Sequence, residues 1–158
     1  MKKQQKIFIV EDNLFYANLL KTELFKKNMI DVEIFTSGEM CIQHIKKKPD
    51  VVILDHNLGN IPGLSILKKI KYINQDVQVI YLSSQKQIHI ALLTIKHGAF
   101  AYVEKNTFAF RRISALINRV SKHNQKQKVA REMRVIKFTI LVVFTAIIIS
   151  FLASRIIL

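Results

Sequence analysis

Every residue from Val51 to Leu54 is apolar, and a strand with no polar alternation must be covered on both of its faces. Few folds meet that requirement. The strand needs neighbours on both edges and helices above and below, which is the arrangement of parallel α/β architecture. Asp55 closes the run. A charge at the end of a buried strand is costly unless the fold uses it, and open α/β sheets bind ligands outside the carboxyl ends of their strands. Asp55 is therefore the first candidate for chemistry.

The rest of the chain alternates as such a sheet demands. Ile7–Val10 reads as a first strand, closed by Glu11 and Asp12. Asn13 suits an N-cap, with Leu14, Ala17, Leu20 and Leu24 at helical spacing behind it. "DVEIF" is a second, alternating strand, and Ser37 with Glu39 opens a second helix through Ile42 and Ile45 that Pro49 stops. After the central strand, a loop with Gly59, Pro62 and Gly63 leads into a helix carrying Leu64, Leu67 and Ile70. "VQVIYL" is the fourth strand, with Ser83 and Ser84 at its end. Ile88, Ala91, Leu92 and Ile95 define the face of a fourth helix stopped by Gly98, and "AYVEK" is a fifth strand ending at Lys105. A fifth helix begins near Thr107, with Ile113, Leu116, Ile117 and Val120 on one face. Five β/α alternations predict a doubly wound, five-stranded parallel sheet of the flavodoxin-like kind, strand order 2-1-3-4-5.

From Phe138 the character changes. "FTILVVFTAIIISFLAS" carries no charge, and Arg155 is the only charge from there to Leu158. Rising about 1.5 Å per residue, the stretch 138–158 reaches roughly 31 Å, the thickness of a hydrocarbon core, and predicts a transmembrane helix. A core or dimerisation helix is the alternative, but this segment is uncharged on every face and too long for a core of this size. The expected divisions are 1–123 for the α/β domain, 124–137 for a basic juxtamembrane linker and 138–158 for the membrane helix. At the other end only Ile7–Val10 precede Glu11, too short a run for a signal-peptide core.

Formal net charge is +14, and its placement is uneven: ten of the eleven acids precede Thr107, whereas Arg111, Arg112, Arg119, Lys122, Lys126, Lys128, Arg131, Arg134 and Lys137 crowd the segment after it. That segment faces something anionic, either nucleic acid or a phospholipid surface. It contains no nucleic-acid recognition motif and leads directly into the apolar helix, so lipid is the expected partner and no nucleic acid is expected. The basic run also places the domain on the cytoplasmic side of an inner membrane crossed once. Cys41 is the only cysteine, which fits a reducing compartment, and the five histidines show no ligand spacing.

Four strands end in polar residues of complementary kinds: Glu11 and Asp12, Asp55, Ser83 and Lys105. In the order 2-1-3-4-5 these strands are contiguous, and the crevice opens between the first and third. Three carboxylates there would raise one another's pKa unless a cation neutralised them, and Mg²⁺ suits one or two carboxylates plus phosphate oxygens. A carboxylate beside such a cation and an ammonium is arranged to attack phosphorus and carry an acyl phosphate. Asp55 is the expected nucleophile. Asp12 is expected to bind the metal, Glu11 to hold it directly or through water, Lys105 to pair with phosphoryl oxygens and Ser83 to donate its hydroxyl to another. A haloacid-dehalogenase-type phosphatase also uses an aspartyl phosphate, but it needs a second acid where Asn57 stands. A flavodoxin-like flavin binder needs a phosphate-cradling loop after the first strand, where "EDN" would repel the phosphate.

"IFIVEDN", "VVILDHNLGNIPGL", "VIYLSS" and "GAFAYVEK" resemble the four motif blocks of the response-regulator receiver domain, over Lys6 to about His123. The resemblance implies phosphorylation of Asp55 by a histidine kinase or phosphotransfer protein, with Mg²⁺ on Asp12, Asp55 and the Asn57 backbone carbonyl. It implies Ser83 and Tyr102 as a switch pair, and places Asn57 and Gln85 where acyl-phosphate lifetime is tuned. It also implies that Phe15 and Leu19, off the inner face of the first helix, dock a histidine-bearing helix, with packing at the helix edge as the alternative. Gly59 and Asn106 stand where the family has proline; a cis bond before a non-proline costs about 2.5–4 kcal/mol, so the Lys105–Asn106 bond is expected trans. The expected whole is a membrane-anchored single-domain response regulator, not an enzyme beyond its own phosphorylation and dephosphorylation. Its output would come from protein contacts, from a phosphate relay or from a homodimer through the tail helix.

Overall fold

The computed structural model describes residues 4–59, 61–84 and 86–156, with side chains described to Ala146. Five parallel strands form one sheet: β1 (Ile7–Val10), β2 (Val32–Phe35), β3 (Val51–Asp55), β4 (Gln78–Ser83) and β5 (Ala99–Glu104). Their order is β2-β1-β3-β4-β5, as expected from the alternation. The connecting helices are α1 (Leu14–Phe25), α2 (Gly38–His44), α3 (Gly63–Ile73), α4 (Ile88–Lys96) and α5 (Ala109–Ile156).

Alternate residues of each strand serve opposite faces. Ile7, Ile9, Ile53, Ile80 and Val103 pack with Ala17, Leu20 and Leu24 of α1 and with Ile113, Ile117 and Val120 of α5. Phe8, Val10, Val52, Leu54, Val79 and Tyr81 pack with Cys41 of α2 and with Ile66, Leu67 and Ile70 of α3. The result is the doubly wound arrangement, with every residue of β3 buried. Local signals hold at the helix starts: Asn13 Oδ1 accepts from the Tyr16 amide at 3.1 Å, and Ser37 Oγ from the Met40 amide at 3.3 Å.

Several apolar faces differ from expectation. Leu14 is exposed, as are Phe15 and, less fully, Leu19. On α4 the expected face of Ile88, Leu92 and Ile95 points to solvent, while Thr94 is buried and Ile90 half-buried. This helix is apolar almost all round, so periodicity cannot select the buried side; Thr94 tolerates burial because its hydroxyl donates to the Ala91 carbonyl at 2.9 Å. β5 begins at Ala99 rather than Ala101, with a register shift just inside it, between the pairs Val79–Ala99 and Ile80–Ala101. Among the described residues there is no cis peptide bond, in keeping with the expected trans bond before Asn106.

Contacts divide the chain into two units, Met1–Val120 and Ser121–Leu158. The second is helical, α5 running on to Ile156. Among the described residues no helix is long and apolar enough to cross a membrane. The stretch 138–158 expected to do so lies only partly within them, its side chains being described to Ala146.

Candidate functional site

The carboxyl ends of β1 and β3 adjoin in the sheet and bring three acids together. Glu11 follows Val10, Asp12 follows Glu11, and Asp55 ends β3; each offers a carboxylate oxygen, all within 4.8 Å of one another. Glu11 and Asp55 are buried and Asp12 is exposed. Lys105, just past β5, reaches both buried acids: its Nζ lies 2.7 Å from Glu11 Oε2 and 2.9 Å from Asp55 Oδ1. Its backbone is fixed by an N–H bond to the Ser83 carbonyl at 2.7 Å.

One ammonium does not balance three carboxylates. Burial pushes Asp55 above the usual carboxylate range, opposed by Lys105, with the Asp12 charge raising it further. Glu11 is raised in the same way, by burial first and also by Asp55. A compact set of hard oxygen donors with uncompensated negative charge fits a divalent cation such as Mg²⁺. The donor chemistry therefore agrees with the expectation from sequence.

Ser83 ends β4, buried, opposite Glu104 of β5. Tyr102 is half-buried opposite Tyr81, so Tyr81 and Ser83, two residues apart, share one face of the sheet with Tyr102. Asn57 is exposed, on a two-residue ladder in which Asn57–Leu58 runs antiparallel to Ile61–Pro62. Gln85, expected to tune phosphoryl lifetime, lies outside the described residues.

Four residues that sequence reasoning did not assign to the site belong to its surroundings. The Lys105 ammonium sits 4.7 Å over the Tyr16 ring. Burial, then the charges of Glu11 and Asp55, push the Tyr16 phenol up to about 12. The sequence signal for Tyr16 was its place in the first turn of the helix that follows the acid pair. Gly63 starts α3 against the carbonyl of Asp55: a Cβ there would stand 2.2 Å from that oxygen, so only glycine permits the approach. His56 follows Asp55, and its Nδ1 is hydrogen-bonded to the wholly buried Tyr81 hydroxyl at 2.8 Å. No periodicity announces that pair.

The family profile of the response regulator receiver domain matches residues 7–118. The chain belongs to this family. As a receiver domain it is 28% identical over 127 residues to the response regulator SaeR of Staphylococcus epidermidis, a match covering 78% of this chain and 55% of that protein. It thus spans about half the length of that relative. It is 28% identical over 119 residues to the chemotaxis protein CheY of Thermotoga maritima, covering 75% of this chain and 98% of that one. In fold it is similar to the receiver domain of the Francisella response regulator 1452, with 24% identity and a TM-score of 0.69 over 77% of this chain and 99% of that one. A CheY-like receiver domain protein from Methanospirillum hungatei gives a TM-score of 0.70 at 17% identity, over 78% and 99% of the two chains.

Proposed function

We propose that this receiver domain accepts a phosphoryl group on Asp55 from a phosphohistidine of a histidine kinase or phosphotransfer protein, and signals through a change of conformation. The observation that carries the reading is Lys105, whose ammonium bridges Glu11 and Asp55 at the exits of neighbouring strands. Asp55 Oδ attacks phosphorus; the new O–P bond forms as the N–P bond to the donor imidazole breaks, and that imidazole takes up a proton. Lys105, already 2.9 Å from Asp55 Oδ1, is placed to pair with the oxygens of the arriving group. Ser83 supplies a hydroxyl from the end of β4. Glu11, Asp12 and Asp55, with the Asn57 backbone carbonyl, would hold a Mg²⁺ ion, which when bound neutralises phosphoryl charge. Ser83 and Tyr102 form the switch pair, and the chain's own catalysis is confined to gaining and losing this phosphate.

We propose further that the C-terminal stretch 138–158 anchors the receiver to the cytoplasmic face of the inner membrane. The run from Phe138 to Ser154 carries no charge, and Lys126, Lys128, Arg131, Arg134 and Lys137 precede it, which supports positive-inside orientation and attraction to anionic headgroups.

The test is incubation with radiolabelled acetyl phosphate and Mg²⁺. Wild type should gain a hydroxylamine-labile label and Asp55→Asn should not; equal labelling of the two removes Asp55 from the role.

A further inference from the structure

Tyr81 links three parts of the domain through one rigid ring. Its hydroxyl is hydrogen-bonded to His56 Nδ1 at 2.8 Å and lies beside Gly63 at the start of α3, where an added Cβ would stand 3.0 Å from it. The other end of the contact is Tyr102: the two rings stack at 6.3 Å between centroids and 16° between planes. His56 packs edge-on against Tyr81 at 5.8 Å.

His56 is in turn held by its backbone. Its N–H donates to the Leu82 carbonyl and its carbonyl accepts from the Gly63 N–H, each at 2.8 Å. A movement at Asp55 displaces His56, the next residue, and His56 displaces the phenol oxygen; because the ring is rigid, its far face moves with it against Tyr102. We propose that Tyr81, clamped by His56, is the positioning residue that couples the state of Asp55 to the ring of Tyr102. This rests on Asp55 being the phosphoacceptor. It adds to that reading a polar pair, half-buried His56 and buried Tyr81, that none of the assigned site residues includes.

The experiment uses full-length protein containing 3-fluorotyrosine, its four tyrosine resonances assigned by Tyr→Phe substitution, with exposed Tyr72 as the reference. The probe is acetyl phosphate with Mg²⁺, and labelling is measured on the same samples. Wild type should be labelled and show a Tyr102 shift. His56→Phe, which keeps a ring and loses the hydrogen bond, and Tyr81→Phe should be labelled but lose that shift. His56→Asn, whose amide can hydrogen-bond the phenol in either direction, should restore it. Before any phosphodonor is added, His56→Phe and Tyr81→Phe should already move the Tyr102 resonance relative to Tyr72. A full Tyr102 shift in labelled His56→Phe and Tyr81→Phe, or a His56→Asn protein that behaves like His56→Phe, overturns the coupling. Failure of wild type to be labelled overturns the phosphoacceptor reading instead, and the resting comparison still decides whether Tyr81 positions Tyr102.

Discussion

Replacing Gly63 by alanine sets two effects of opposite sign against each other at the edge of the acid cluster. In a helix, alanine is favoured over glycine by about 0.5–1 kcal/mol. Against that, the added Cβ stands 2.2 Å from the Asp55 carbonyl oxygen and 3.0 Å from the Tyr81 hydroxyl, where ordinary contact begins at 3.4 Å. The oxygen cannot retreat, because β3 is held between β1 and β4. Relieving such an overlap requires α3 to move off the strand, and overpacking of this kind costs about 1–3 kcal/mol. The clash should win over most of that range, leaving Gly63→Ala less stable by up to about 2.5 kcal/mol once the helix gain is subtracted. The displaced α3 should drag the segment before it, which carries Asn57, and lower acetyl phosphate labelling as well. Gly38→Ala provides the contrast: its Cβ meets side-chain atoms of the buried Ile66 rather than backbone, so it crowds the α2–α3 contact and leaves Asp55 untouched. Urea unfolding of the full chain, followed by labelling, separates these outcomes. A Gly63→Ala protein as stable as wild type and labelled as fully would refute the argument that this contact seats α3 against the site.

Lys105→Met should strip the ammonium from two buried carboxylates and destabilise the metal-free protein by about 3–5 kcal/mol in urea unfolding, with Mg²⁺ restoring part of the loss; unchanged stability would mean that the pairs at 2.7 and 2.9 Å contribute nothing. Glu11 and Asp55 are both raised in the folded state, so between their ordinary and folded values the folded protein binds more protons than the unfolded one. Stability of the metal-free protein should therefore rise as pH falls from neutral through the range just above ordinary carboxylate titration, while Mg²⁺ affinity falls across the same window. Melts at matched pH with and without Mg²⁺ check both signs. Full-length protein should stay with membranes through carbonate extraction, whereas a chain ending at Lys137 should be released by salt; equal release of the two would end the anchor proposal.

The parts of the fold legible from sequence are those where one residue type permits one environment. β3 announced itself because four apolar residues in succession require cover on both faces, and Asn13 and Ser37 marked helix starts by the hydrogen bonds they make. The acids and Lys105 were readable because each ends a strand, and strand ends converge in a parallel sheet. The orientation of α4 was not readable: Ile88, Ile90, Leu92, Leu93 and Ile95 span too much of the helix for periodicity to choose a side, and tertiary packing buried Thr94 instead. Tyr16, His56 and Tyr81 escaped for a related reason. Their partners lie on other elements, and a polar pair such as His56 and Tyr81, 25 residues apart, leaves no trace in local spacing.

The most direct test of the central claim is to trap the acyl phosphate and locate it. After incubation of wild type with acetyl phosphate and Mg²⁺, borohydride reduction converts a phosphorylated aspartate to homoserine, and peptide mass spectrometry reads the position. The account predicts conversion at Asp55, dependent on Mg²⁺ and absent from Glu11 and Asp12. Conversion at Asp12, or none at any aspartate in protein that has demonstrably bound Mg²⁺, would contradict it.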